Sequence, residues 1–404
     1  MSRKDSLTGP RLAGFLALHL VLISAAVAWG VLRARERAGE RELPTYRDEP
    51  LAVVPLYDDP EVIGDEQLRR VLSRLGLRPQ GSEMRISHVD HALRLWGPEK
   101  RFDDPEVLSG EALRGLLTDH RQLVSMYGAE AAELAPLLID DGIGVRVRFQ
   151  EGYTSTSHLD HSLAALAEVG TPLDFPVVTD LRETTLSDVF EQSLRDFSLN
   201  QPEYEWSALA YALYLPPTNR WISSEGQEIT FDRLARRIMR EELESGVCSG
   251  SHRLHTLVVF LRVDDLMGEA GEPRILTAEG RERVLEHLRG VTARLVRHQH
   301  PDGFWNGRWP TAAPEGSEPS GGEGDRLADR LIVTGHTLEW WALAPREVHP
   351  PRSVVIAAAQ WLVRTVEGMS QEEIEENFTY LSHVGRALAL WRGVFAYEVD
   401  LEES

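Results

Sequence analysis

The chain has 404 residues, 42% of them apolar and 26% charged, with ten Trp, a balance that excludes a disordered polypeptide. Lys and Arg number 43 against 64 Asp and Glu, and the resulting net charge of −21 excludes a broad electrostatic surface for nucleic acid. A single cysteine, Cys248, excludes an intrachain disulfide.

Residues 1–11 form a short tail containing Arg3, Lys4 and Arg11. The next stretch, Leu12 to Leu32, reads LAGFLALHLVLISAAVAWGVL without a formal charge, and as one helix it is long enough for a bilayer. A single-pass N-terminal membrane anchor is therefore expected, with the remainder exported. Ala26-Val27-Ala28 resembles a signal cleavage site, but the apolar run continues past it. Residues 33–60, rich in Arg, Glu and Pro, read as a linker, and 61–404 as one domain.

Within 61–404 the helical period dominates, and VRVRFQ at 145–150 is the one segment suited to a short strand or extended loop. Start and stop signals predict amphipathic helices near 65–75, 109–127, 184–198, 230–244, 279–299 and 353–367. Each precedes a more apolar helix, near 87–96, 157–169, 203–214, 251–263, 335–344 and 382–392. Amphipathic helices cover apolar ones, so six such pairs predict an all-α fold, an (α/α)6 toroid of six helical hairpins with an inner and an outer layer. An extra helical piece is expected near 129–140, and the Pro-, Gly- and Glu-rich stretch 311–325 reads as a flexible insertion.

The inner helices share an opening phrase: SHVDHALRL at 87, SHLDHSLAAL at 157, SHRLHTLVVF at 251, GHTLEWWALA at 335 and SHVGRALALW at 382. Ser87, Ser157, Glu203, Ser251, Gly335 and Ser382 align as expected N-caps. His88, His158, Tyr204, His252, His336 and His383 follow, and one turn later come His91, His161, Ser207, His255, Glu339 and Arg386. Eight of the fourteen histidines fall in these columns, although no helix needs histidine there. In a closed toroid they would ring the mouth of a central cavity, with Tyr204, Trp206, Trp340 and Trp341 beside them. Pairs at i and i+3 share a helix face and can present two imidazoles to one cation or substrate. Cys248, four residues before His252, can join them in a zinc site, while a purely structural imidazole network fits the same spacing.

Leu295, Gln299 and Gly303-Phe304-Trp305 in RLVRHQHPDGFWNGRW resemble the QW motif of the terpenoid cyclase and protein prenyltransferase superfamily, whose members are α/α toroids. The chain departs from the motif at Arg294, where the family has an aromatic, and it lacks the family's D-x-D-D motif, since Asp264-Asp265 has no preceding partner. TGHTLEWWAL resembles a stretch of the N-acylglucosamine 2-epimerase family, another toroid, and implies His336 and Glu339 as acid and base.

Two functions are expected from these residues. One is an enzyme in which His336, Glu339 and His252 handle protons or a metal, acting on a polar or amphipathic substrate beside His88, His91, His158, His161, Tyr204, His255, Trp340 and His383. The other is a non-catalytic toroid that binds a peptide, glycan or lipid there. Glu203, Glu205 and Glu339 also allow paired-carboxylate chemistry on a glycoside.

Overall fold

The computed structural model describes residues 9–39, 42–79, 84–130, 135–150, 152–217, 220–311 and 326–401. Two compact units divide the chain at Leu43 and Pro44. The first contains helix α1 (Gly9–Gly39). It also contains His19, whose Nδ1 donates to Phe15 O at 2.8 Å. Among the described residues no helix is long and apolar enough to cross a membrane, so the expected anchor at 12–32, and with it the membrane partner and location, is corrected.

The second unit is an all-α helical repeat. Its helices are α2 (Asp65–Leu72), α3 (Ile86–Trp96), α4 (Gly110–Thr118), α5 (His120–Tyr127), α6 (His161–Glu168), α7 (Leu186–Asp196), α8 (Tyr204–Tyr214) and α9 (Phe231–Ile238). These are followed by α10 (Ser251–Glu269), α11 (Ala278–His298), α12 (Leu327–Leu343), α13 (Arg352–Gly368), α14 (Gln371–Glu376) and α15 (Phe378–Trp391). Among the described residues, three short antiparallel hairpins join some of them. One pairs β1 (Leu138–Asp140) with β2 (Val145–Val147), so VRVRFQ begins as a strand and the end of the expected helical piece at 129–140 is extended instead. Residues 131–134, and 312–325 of the expected insertion, lie outside the described residues.

Sequence pattern explains the two layers. In α9, Phe231, Leu234, Ala235 and Ile238 lie on one buried face, and Thr230 caps the helix by accepting from Arg233 N at 3.2 Å. Every residue of α8 is buried, from Tyr204 to Tyr214, as an inner helix requires. The apolar helices pack in a closed cycle, α3 on α6, α6 on α8, α8 on α10, α10 on α12, α12 on α15 and α15 on α3. Outside it, α4 lies on α3, α9 and α11 on α10, and α13 on α12 and α15. Residues 44–60 run along this unit, where Arg47 N donates to Tyr214 O at 2.8 Å and Leu51 N to Leu213 O at 3.0 Å.

The Gln299–Trp305 segment ties neighbouring hairpins together. Gln299 Nε2 donates to Gly303 O at 2.9 Å and to Val354 O at 2.8 Å, while Trp305 Nε1 donates to Leu295 O at 2.8 Å. Gly303 has φ +110°, and a Cβ there would lie 2.3 Å from Ala357 O. Gly303→Ala is therefore expected to cost at least about 2 kcal/mol, read as a lower urea midpoint. Asp264 of α10 serves the fold, accepting from Leu276 N at 3.0 Å and pairing with Arg274 and Arg281.

Candidate functional site

The shared phrase does not mark helix starts as uniformly as its small residues imply. Arg85, Asp160, Gly250, Arg326 and Asn377 precede α3, α6, α10, α12 and α15, and of the expected caps only Glu203 stands at its helix boundary, without a side-chain capping bond. Gly335 and Ser382 fall inside helices that begin earlier. Gly335 has a different purpose: a Cβ there would lie 3.2 Å from Val384 N, so its absence lets α12 approach α15. The His336 and His383 ring centroids are consequently 3.7 Å apart.

Six histidines form a continuous ring around the inner helices. His91 stands 4.4 Å from His161, His161 5.6 Å from His158, His158 4.9 Å from His252, and His252 5.1 Å from His336. His383 closes the circuit at 5.1 Å from His91. Three carboxylates each face two of these imidazoles through Nδ1. Asp90 lies 2.8 Å from His91 and 3.0 Å from His161; Glu203 lies 2.8 Å from His158 and 3.6 Å from His252. Glu339 lies 3.3 Å from His336 and 3.0 Å from His383. A carboxylate oxygen only accepts, so the hydrogen-bonded contacts of His91, His158 and His383 place the proton on Nδ1 and leave the Nε2 lone pair available, whereas the Nδ1 atoms of His161 and His252 have no hydrogen-bond partner. His161 Nε2, His252 Nε2, His336 Nε2 and His383 Nε2 are buried without a hydrogen-bond partner.

Below the ring lies a buried ionic layer. Arg94 pairs with Glu168 and, at 2.7 Å, with Glu339; Arg386 pairs with Glu339 and, at 2.9 Å, with Glu168. His255 Nε2 sits between the charges, 2.8 Å from Arg94 Nη2 and 3.0 Å from Glu168 Oε1. Burial alone would raise both glutamates, but the two guanidiniums outweigh it and hold them well below the usual carboxylate range. Glu339 is thus held in its charged form by Arg94 and Arg386.

A cavity of about 840 Å³ opens above part of the ring, lined by His88, His91, His158 and Cys248, with Arg85 and the α14 residues Glu372 and Glu376 at its edge. His252, His336 and Glu339 lie outside that lining and are almost wholly buried. Tyr204 faces elsewhere, its hydroxyl donating to Glu241 Oε1 at 3.1 Å. Trp340 is fully buried against Trp341 at 5.3 Å, whereas Trp206 packs on the ring itself, 4.4 Å from His161.

The backbone is strained where it delivers these groups. Asp160, Glu203, Cys248 and Ser249 have φ of 56°, 50°, 52° and 55°, at the entrances to α6, α8 and α10. Non-glycine residues in this region cost on the order of 1–3 kcal/mol, and such strain collects at functional sites. Burial, followed by the negative charge of Glu203, pushes the Cys248 thiol up to about 12.

Among the described residues, side chains in four groups lie close enough to chelate a metal ion: Cys248 with His252 and His336; Asp90 with His91 and His161; His158 with Glu203 and His252; and His336 with Glu339 and His383. Asp90, Arg94 and Glu168 are the members of the assembly that the spacing argument missed. Their signal is a charge inside an apolar helix, visible for Asp90 and Arg94 in SHVDHALRL and for Glu168 at the end of HSLAALAE. Compared with protein families, characterised proteins and solved structures, the chain shows no significant match.

Burial pushes His88, His161 and His336 down to about 4, so the fold favours their neutral forms. A depressed histidine pKa stabilises fully above the unfolded value near 6.5 and loses that contribution as pH falls towards 4. Glu205 has the opposite sign: burial raises it to about 7, and its contribution is lost as pH rises from about 4.5 through 7. Three histidines outweigh one glutamate. Chelator-treated protein is therefore expected to lose stability between pH 6.5 and 4, measured by thermal unfolding at stepped pH.

Proposed function

We propose that the second unit is a zinc-dependent α/α toroid, with the metal held by Cys248, His252 and His336 next to a cavity for a small polar molecule. One observation carries this reading: His252 Nε2 and His336 Nε2 are buried without partners, and a cysteine sulfur can reach the same point. Three protein ligands leave one tetrahedral position for water or substrate, as in catalytic rather than structural zinc sites. Glu339 holds His336 through Nδ1, as a carboxylate commonly orients a metal-binding histidine. Zinc in this position supplies a Lewis acid for a carbonyl or phosphoryl oxygen.

His91 and His158 serve as the proton-handling groups, because they line the cavity while Asp90 and Glu203 fix their Nδ1 protons. The initial pair of acid and base, His336 and Glu339, becomes a ligand and its positioning group. Kinship with the cyclase and prenyltransferase toroids is supported by the closed helix cycle and the Gln299–Trp305 contacts. The same two carboxylate–imidazole pairs support a second reading, metal-free proton transfer on a polar substrate.

Cobalt substitution separates the readings. The zinc centre predicts a thiolate-to-cobalt absorption band that disappears in Cys248→Ser while the far-UV spectrum is kept. Cobalt bound without that band contradicts the Cys248 assignment, and no stoichiometric cobalt favours the metal-free reading.

A further inference from the structure

The three carboxylates of the ring are not equivalent. Glu339 is neutralised by Arg94 and Arg386. Asp90, also with no exposed side-chain surface, meets only His91, His161 and the Ser162 hydroxyl, which donates to Oδ2 at 3.3 Å. Among the described residues no lysine or arginine forms an ion pair with it. A buried carboxylate without a cation carries a heavy desolvation penalty, and neutral imidazoles offset it only in part.

His161 adds an independent sign of a missing ligand. Neither of its ring nitrogens has a hydrogen-bond partner, and its Nδ1, although 3.0 Å from Asp90 Oδ2, lies off the hydrogen-bonding direction. The imidazole is fully buried between His91 and Trp206, with ring centroids at 4.4 Å on each side. Ligand atoms of Asp90, His91 and His161 all lie within 4.8 Å of one another.

We infer that Asp90, His91 and His161 form a second cation position, separate from the Cys248 centre, that takes a divalent first-row transition ion, with His91 then a ligand and proton handling left to His158. Two imidazoles and one carboxylate suit such an ion and leave positions open for water or a ligand. His91 places it at the floor of the cavity, so two ions would face one bound molecule from different inner helices. The inference stands on Asp90 and His161, neither of which belongs to the Cys248 set.

Metal content of the full chain, loaded with zinc or cobalt alone and then desalted, tests it. Two equivalents are expected, falling to one in Asp90→Asn and in His161→Gln, and falling to one at the other position in Cys248→Ser. Cobalt retained by Cys248→Ser should show ligand-field bands without a thiolate band. A single equivalent, unchanged in Asp90→Asn and His161→Gln but lost in Cys248→Ser, overturns the second position and leaves the first. A single equivalent with the reverse pattern upholds the second and overturns the first. No bound metal in folded wild-type protein overturns both.

Discussion

Arg94→Met is expected to destabilise the fold by about 3–5 kcal/mol, the cost of leaving buried charge without its partner. Arg94 is buried and contacts Glu168, Glu339, His255 and His383, so four inner helices other than its own lose a common neighbour in one substitution. Two glutamates would then share the single guanidinium of Arg386. Adding Glu168→Gln to Arg94→Met should recover part of the loss, because one carboxylate then matches one guanidinium again. Urea unfolding of the two single variants and the double gives the coupling directly. A loss below about 1 kcal/mol for Arg94→Met would mean that the ionic layer is not what fixes the inner helices in register.

His252→Ala is expected to remove the part of the stabilisation by zinc that comes from the Cys248 centre. An ion that binds only the folded chain raises stability by about 2.7 kcal/mol at a hundredfold excess over its dissociation constant. Wild-type protein should therefore melt at a distinctly higher temperature with zinc than with chelator, and His252→Ala combined with Asp90→Asn, which empties both positions, should melt at the same temperature in both. His252 is the most informative position because it belongs to both the Cys248 and the Glu203 groups of potential ligands. Its removal also takes away a buried imidazole whose two ring nitrogens have no hydrogen-bond partner, so the metal-free variant need not be less stable than the metal-free wild type. Its own pKa is driven well below the ordinary value by burial first and then by His158, His336 and His383.

The helical layers were readable because period and burial follow one rule: charged residues such as Arg233, Arg236 and Arg237 recur on one side of an outer helix, and none interrupt Tyr204–Tyr214 except Glu205. Histidine columns were readable for the same reason, since a polar residue repeated at equivalent points of several apolar helices has no packing explanation. Their depth was not readable. Spacing from the first buried leucine cannot say where a helix begins, and α12 and α15 start well before His336 and His383. That is why Glu339 read as a free base although two arginines from α3 and α15 neutralise it. Long-range charge pairing between residues separated by hundreds of positions leaves no local pattern. The hydrophobic stretch at 12–32 shows the opposite error, in which composition alone supported a spanning helix, whereas among the described residues no helix is long and apolar enough to cross a membrane.

Anomalous scattering from crystals of zinc-loaded protein, recorded on both sides of the zinc absorption edge, bears most directly on the imidazole ring as a metal centre. The predicted result is an edge-dependent peak within bonding distance of Cys248 Sγ and of ring nitrogens of His252 and His336. Zinc confined to surface carboxylates, or ordered water alone among fully loaded crystals' imidazoles, would contradict it.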